Sequence, residues 1–234
     1  MTSDLLSFDL VIFDCDGVLV DSEALACVVH ADVLTQHGYA ITAEQVHDRF
    51  LGRSAREARF EVETELGRAL PDAYTAQLKA TIDRVFGESL QPVPHIAETL
   101  ARLSQRICVA SSGTPTRIRS SLGTTGLLDR FAPHLFSAMQ VDRGKPAPDL
   151  FLFAAAEMGV PPARCVVIED SIPGVTAARA AGMAVLGFHG GSHCRPATAE
   201  ALRVAGANVI FDDMRQLPGL IGQIARHPGA ASLT

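Results

Sequence analysis

Five short runs in this chain are apolar on both faces, and that constrains its fold more than any other feature. They are residues 9–14 (DLVIFD), 107–111 (ICVAS), 165–170 (CVVIED), 184–188 (AVLGF) and 208–211 (NVIF). A strand with one wet face alternates apolar with polar residues. A strand apolar on both sides must be covered on both sides, as in a parallel sheet sandwiched by helices. Helix-like stretches lie between these runs, at 94–104, 115–122, 148–158, 173–181 and 197–204. Several open on proline, whose missing N–H is no loss in a first turn. Gly159 and Gly182 stand where two of them should stop. The alternation predicts an α/β fold built on a doubly wound parallel sheet.

One interval breaks the rhythm. Residues 22–89 hold no convincing strand but four amphipathic stretches, 23–37, 43–50, 55–68 and 73–87. Four helices exceed what one crossover needs. The expected division is therefore a core of residues 1–21 and 90–234 with an inserted helical cap of 22–89. The alternative is that these helices only thicken one face of the sheet.

The 234 residues suffice for one α/β domain carrying such an insertion. The net charge is −6 and no basic run stands out, which argues against a nucleic-acid partner. No apolar run approaches the roughly 18 residues of a membrane span. The start, MTSDLLSFDL, lacks the basic-then-apolar order of a secretory signal. The five cysteines are odd in number, scattered and without a CxxC, as expected of a reduced, cytoplasmic protein. The expected assembly is a monomer or weak dimer. An acidic chain can still act on an anion if it gathers positive charge locally.

Ligands of open parallel sheets bind beyond the carboxyl ends of the strands. The first run leaves Asp14 and then Asp16 there. The second leaves Ser111, with Ser112 and Gly113, and the third leaves Glu169 and Asp170. Lys145, in RGKPAPD, precedes another helix. Each has a bland reading: a turn or cap for the acids and Ser111, a solvated loop for Lys145. A calcium loop beginning at Asp14 fails, because Val18 and Leu25 would fall at ligand positions. What argues for chemistry is that acids, hydroxyls and one lysine converge on a single sheet edge. GFHGGSHC (187–194) holds two histidines and a cysteine but no supporting acid, and reads as an ordinary surface loop rather than a metal site.

Taken together, DCDG, the serine ending a second apolar strand, the lysine of GKPAPD and the ED pair resemble the four signature motifs of the haloacid dehalogenase superfamily. Their order and the helical insert after the first motif are similar to the β-phosphoglucomutase-like phosphatase branch. The cap and the segments around VFGES and RIRSSLG also resemble bacterial 6-phosphogluconate-type phosphatases. The resemblance implies a Rossmann-like core, a mobile helical cap and Mg²⁺-dependent phosphoryl transfer to a small phosphorylated metabolite. It implies Asp14 as nucleophile and Asp16 as acid and base. Asp14, Asp170 and the Asp16 carbonyl become metal ligands, with Glu169 bound directly or through water. Ser111, Ser112 and Gly113 would hold the phosphoryl oxygens, and Lys145 would offset their charge. Arg53, in the cap segment FLGRSARE, is a candidate for contact with the leaving group, with an ordinary surface arginine as the bland and favoured alternative.

The branch within the family also has a reading. Asp16 argues against dehalogenation. The cap histidine of the mutases is replaced by Ala26, with His30 a turn further on, which favours a hydrolase over a mutase. A phosphonate-cleaving relative would need a cap lysine that is absent there. Two other classes stay open: a phosphoacceptor signalling module, which would lack the cap, and a catalytically dead binding protein.

Overall fold

The computed structural model describes residues 8–226 apart from Ser54. The segment read above for a leader, and the outermost ends of the expected core, lie partly outside those residues. Six strands form one wholly parallel sheet: β1 (Leu10–Phe13), β2 (Arg106–Ser111), β3 (Leu135–Ser137), β4 (Cys165–Glu169), β5 (Ala184–Phe188) and β6 (Val209–Phe211). Their spatial order is β3-β2-β1-β4-β5-β6. The chain thus builds outward from β1 in one direction and then returns to build outward in the other. The crevice of such a sheet opens where the direction reverses, beside β1.

Strand pleating sends alternate side chains to opposite faces. Val11 and Phe13 join one hydrophobic cluster, Leu10 and Ile12 another. On the first face lie α5 (Ile96–Arg102), α6 (Pro115–Thr124), α7 (Leu128–Phe131) and α11 (Leu217–Arg226). On the second lie α8 (Asp149–Glu157), α9 (Ile172–Ala180) and α10 (Pro196–Ala205). Both faces are covered, as the two-sided apolar runs require. β3 escapes sequence reading because it has three residues and pairs only at the sheet edge.

Between β1 and α5 the chain forms four helices, α1 (Glu23–Gln36), α2 (Ala43–Phe50), α3 (Ala55–Leu66) and α4 (Ala73–Ser89). Val29, Val33, Leu34, Val62, Ile82 and Phe86 bury their shared interior. The outgoing and returning connections run side by side. The Asp21 N–H donates to the Gln91 carbonyl at 3.0 Å, and the Val93 N–H to the Leu19 carbonyl at 3.0 Å.

Candidate active site

β1 delivers the first carboxylate. Phe13 pairs with both Val109 and Ile168, and the Asp14 N–H extends the ladder to the Ile168 carbonyl at 3.0 Å. The chain then turns sharply. Leu19 and Val20 N–H groups both return to the Cys15 carbonyl, at 2.9 and 3.1 Å. Gly17 has φ +78°, and a Cβ there would lie 1.9 Å from Asp170 Oδ2. Only glycine lets this turn approach the end of β4 so closely.

β4 delivers the second and third. One oxygen from each of Asp14, Glu169 and Asp170 lies within 4.8 Å of the others. Lys145 stands among them, with Nζ 3.0 Å from Asp14 and 2.6 Å from Glu169 Oε1. Its side chain is 4% exposed and that of Glu169 is fully buried. Glu169 Oε2 accepts from the N–H groups of Asp170 and Ser171 and from the Ser171 hydroxyl, at 2.9–3.1 Å. Both oxygens of Glu169 are therefore already engaged, whereas Asp14 pairs with Lys145 and Asp170 with His193, each at one oxygen. Burial opposes the charge of Lys145, but Asp14 and Glu169 outweigh it and raise its pKa. Burial pushes the Asp14 carboxyl up to about 7 against the pull of Lys145, with Glu169 and Asp16 adding to the rise. Burial likewise raises Asp170.

β2 ends on Ser111, which is buried and accepts from the Gly113 N–H at 3.0 Å. The Gly113 carbonyl accepts from Ser137 at 2.6 Å, which steadies the loop. Ser112 is exposed beside it. Asp16 comes to the same place. Its Oδ2 lies 3.8 Å from where a Cβ on Gly113 would stand. Eight of the nine sequence-derived candidates thus meet at the strand ends. Arg53 does not join them: it pairs with Glu61 at 2.6 Å and donates to the Arg49 carbonyl at 3.1 Å, partners that all belong to the inserted helices.

Three charged groups at this site were not anticipated from the sequence. In sequence His193 belongs to an expected surface loop, but its side chain is 7% exposed and its Nε2 lies 3.0 Å from Asp170 Oδ2. Burial works against its charge, yet the bond to Asp170 prevails and pushes its pKa up to about 10. Glu23 opens α1 close to Asp16 and Asp170. Burial, then those two charges, push it up to about 7. Arg117, in the first turn of α6, donates from Nη2 to Asp16 Oδ1 at 3.3 Å. His30, the poor substitute for a cap histidine, has its pKa lowered by burial and by Arg117. The signal for Glu23 was its place directly after the first motif, and for His193 the two glycines that let its loop fold inward.

The donors match a hard divalent cation. They are carboxylate oxygens, and not the nitrogen and sulfur that softer metals prefer. Three clustered carboxylates face two cations, Lys145 and His193, and Asp14 is still driven toward its neutral form. Such a cluster calls for more positive charge, and Mg²⁺ fits it.

A family profile for haloacid dehalogenase-like hydrolases matches residues 8–182. This chain belongs to that family. The 6-phosphogluconate phosphatase of Escherichia coli K12 is 31% identical over 189 residues, 80% of this chain and 86% of that one. A crystal structure of a conserved haloacid dehalogenase-like protein from Agrobacterium tumefaciens has 40% identity and a TM-score of 0.86, covering 94% of this chain and 100% of that one. A hydrolase of the family from Deinococcus radiodurans, crystallised with bound phosphate and sodium, has 30% identity and a TM-score of 0.80 over 93% of this chain and 96% of its own. The chain is an enzyme, then, a hydrolase of a fold that the sheet order already required. Among its described residues no helix is long and apolar enough to cross a membrane.

Proposed function

We propose that this enzyme is a Mg²⁺-dependent cytoplasmic phosphatase that hydrolyses a small sugar or sugar-acid phosphate through an aspartyl phosphate on Asp14. The observation that carries the reading is the meeting of Asp14, Asp170 and Lys145 at the ends of β1 and β4, with Asp16 and Ser111 beside them. The 6-phosphogluconate relative supports the sugar-acid class.

Asp14, Asp170 and the Asp16 carbonyl would hold the ion, with Glu169 behind them orienting Lys145. When bound, Mg²⁺ supplies the positive charge that a dianionic phosphate needs before an anionic nucleophile can approach. The Asp14 carboxylate attacks phosphorus, forming one O–P bond as the ester O–P bond breaks. Asp16 gives its proton to the departing alkoxide. It then takes a proton from the water that attacks the phosphoaspartate, releasing inorganic phosphate and regenerating Asp14. Lys145 balances charge on the nucleophile. Ser111, Ser112 and the Gly113 N–H hold the transferring oxygens. Helices α1–α4 serve as a cap over the crevice. Arg53 in that cap would have to exchange Glu61 for a leaving group before it could select one.

The test is a panel of phosphorylated metabolites with Mg²⁺: sugar phosphates, sugar-acid phosphates, phosphoglycolate and glucose 1-phosphate. Release of inorganic phosphate from the sugar class, abolished in Asp14→Asn with the circular dichroism spectrum unchanged, is the expected result. Full activity in that variant would rule out the nucleophile. Isomerisation of glucose 1-phosphate without net phosphate release would favour a mutase, against which Ala26 speaks.

A further inference from the structure

Among the described residues, Asp16 accepts hydrogen bonds at one oxygen. Ser22 donates to its Oδ1 at 2.6 Å and Arg117 Nη2 donates to the same atom at 3.3 Å. Its Oδ2 takes neither bond and lies toward Gly113, the loop where a phosphoryl group would sit. A single hydroxyl fixes a hydrogen-bond length but leaves a carboxylate free to rotate about it. A second donor from another direction removes that freedom.

Arg117 is itself held at its main chain and at its guanidinium. Its backbone N–H donates to Thr114 Oγ1 at 3.2 Å, which ties its main chain to the capped start of α6. Its guanidinium carbon lies over the Phe86 ring of α4, 4.9 Å from the centroid. Its charge faces Asp16 and Glu23. A planar guanidinium seated over a ring directs its N–H groups along fixed lines, which a lysine ammonium does not.

We infer that Arg117 is the positioning residue for Asp16: together with Ser22 it anchors Oδ1, so that Oδ2 alone exchanges protons with the leaving group and the attacking water. The inference rests on the acid/base reading of Asp16 above. It gives the core helix α6 a part in the chemistry, and through Phe86 it ties the aim of the acid to the seating of α4.

Leaving-group dependence tests it. A sugar-acid alkoxide must be protonated to depart, whereas p-nitrophenolate leaves without a proton. Phosphoryl transfer to the enzyme is measured in single turnover with Mg²⁺ for 6-phosphogluconate and for p-nitrophenyl phosphate. Arg117→Leu, which keeps an apolar contact with Phe86, should lose at least about tenfold more rate on the alkyl ester than on the aryl ester. That is part of the roughly 100-fold or more that a positioned acid contributes. Arg117→Lys should stay nearer to Arg117→Leu than to the wild type, because direction and not charge is what is lost. Equal losses on both esters, no loss on either, or full rescue by lysine would overturn the positioning role. Asp16→Asn run alongside separates the two levels. If it shows the same bias and Arg117→Leu does not, Arg117 alone is misassigned. If Asp16→Asn shows no bias, the acid/base reading falls and the inference with it.

Discussion

Glu169 and Asp170 are neighbours in the chain and opposites in use. Pleating turns one inward at the end of β4, where all its acceptor capacity goes to Lys145, Ser171 and two backbone N–H groups. The other lies beside Asp14 and pairs with His193. A buried carboxylate with so many donors is a scaffold for Lys145 as much as a charge. Glu23 is the reverse case, a carboxyl whose burial outweighs its cationic neighbours. Its pKa rises from 4.5 to about 7 on folding, so the folded state binds the proton more tightly. That contribution to stability is complete below about pH 4.5 and is lost as the pH rises toward 7. Glu23→Gln does not titrate. In chelator, the stability of the variant relative to wild type should grow over that interval and level off above it, reaching about 1–3 kcal/mol by thermal denaturation. A difference independent of pH would show that Glu23 is not strained in the folded protein.

At the scale of elements, α9 shows how a helix start serves the site. Ser171 caps it by accepting from the Gly174 N–H at 3.1 Å while its hydroxyl donates to Glu169. Gly174 lies in the first turn, where propensity alone favours alanine by about 1 kcal/mol. A Cβ there would lie 1.9 Å from the Glu169 carboxyl carbon and from one of its oxygens. That group is fully buried and bonded on all sides, so it has nowhere to go. Overpacking of this kind costs about 1–3 kcal/mol and exceeds the propensity gain. Gly174→Ala should therefore lower the urea midpoint, and it should also weaken phosphate release by displacing Lys145. A stabilised variant would show that Glu169 yields freely.

Across the whole molecule, the loop after β5 joins three parts. His193 reaches Asp170, while its carbonyl oxygen lies 2.9 Å from His47 Nε2 on α2. Arg195 Nε donates to His47 Nδ1 at 3.1 Å, and the same guanidinium pairs with Asp48 at 3.1 Å and Glu44 at 3.5 Å. These contacts are half-exposed, so each contributes little to global stability. They are nonetheless polar links between α2 and a loop that touches the carboxylate cluster. The double variant His47→Ala, Arg195→Ala should change unfolding free energy by less than about 1 kcal/mol. It should also speed amide hydrogen exchange across residues 43–50. Unchanged exchange there would mean that α2 is held by its apolar face alone.

The sheet and most of the site were legible because they depend on short-range rules. Runs such as VVI and LVIF are apolar at consecutive positions whatever surrounds them. A parallel sheet brings the carboxyl ends of its strands to one edge, so Asp14, Ser111 and Asp170 could be assembled without coordinates. The placements of Arg53, His193, Arg117 and Glu23 were not legible. Each depends on which side chains lie opposite it after loops and inserted helices have packed, and no periodicity carries that information. Arg53 had Glu61 within reach and took it; His193 folded inward because Gly17 and Gly191 leave room for its ring. Sequence alone determined where the carboxylates of this enzyme gather, since backbone topology brings strand ends together. Only the tertiary structure decided which cations answer them, because the partner of a buried charge is chosen by distance and desolvation between segments far apart in the chain.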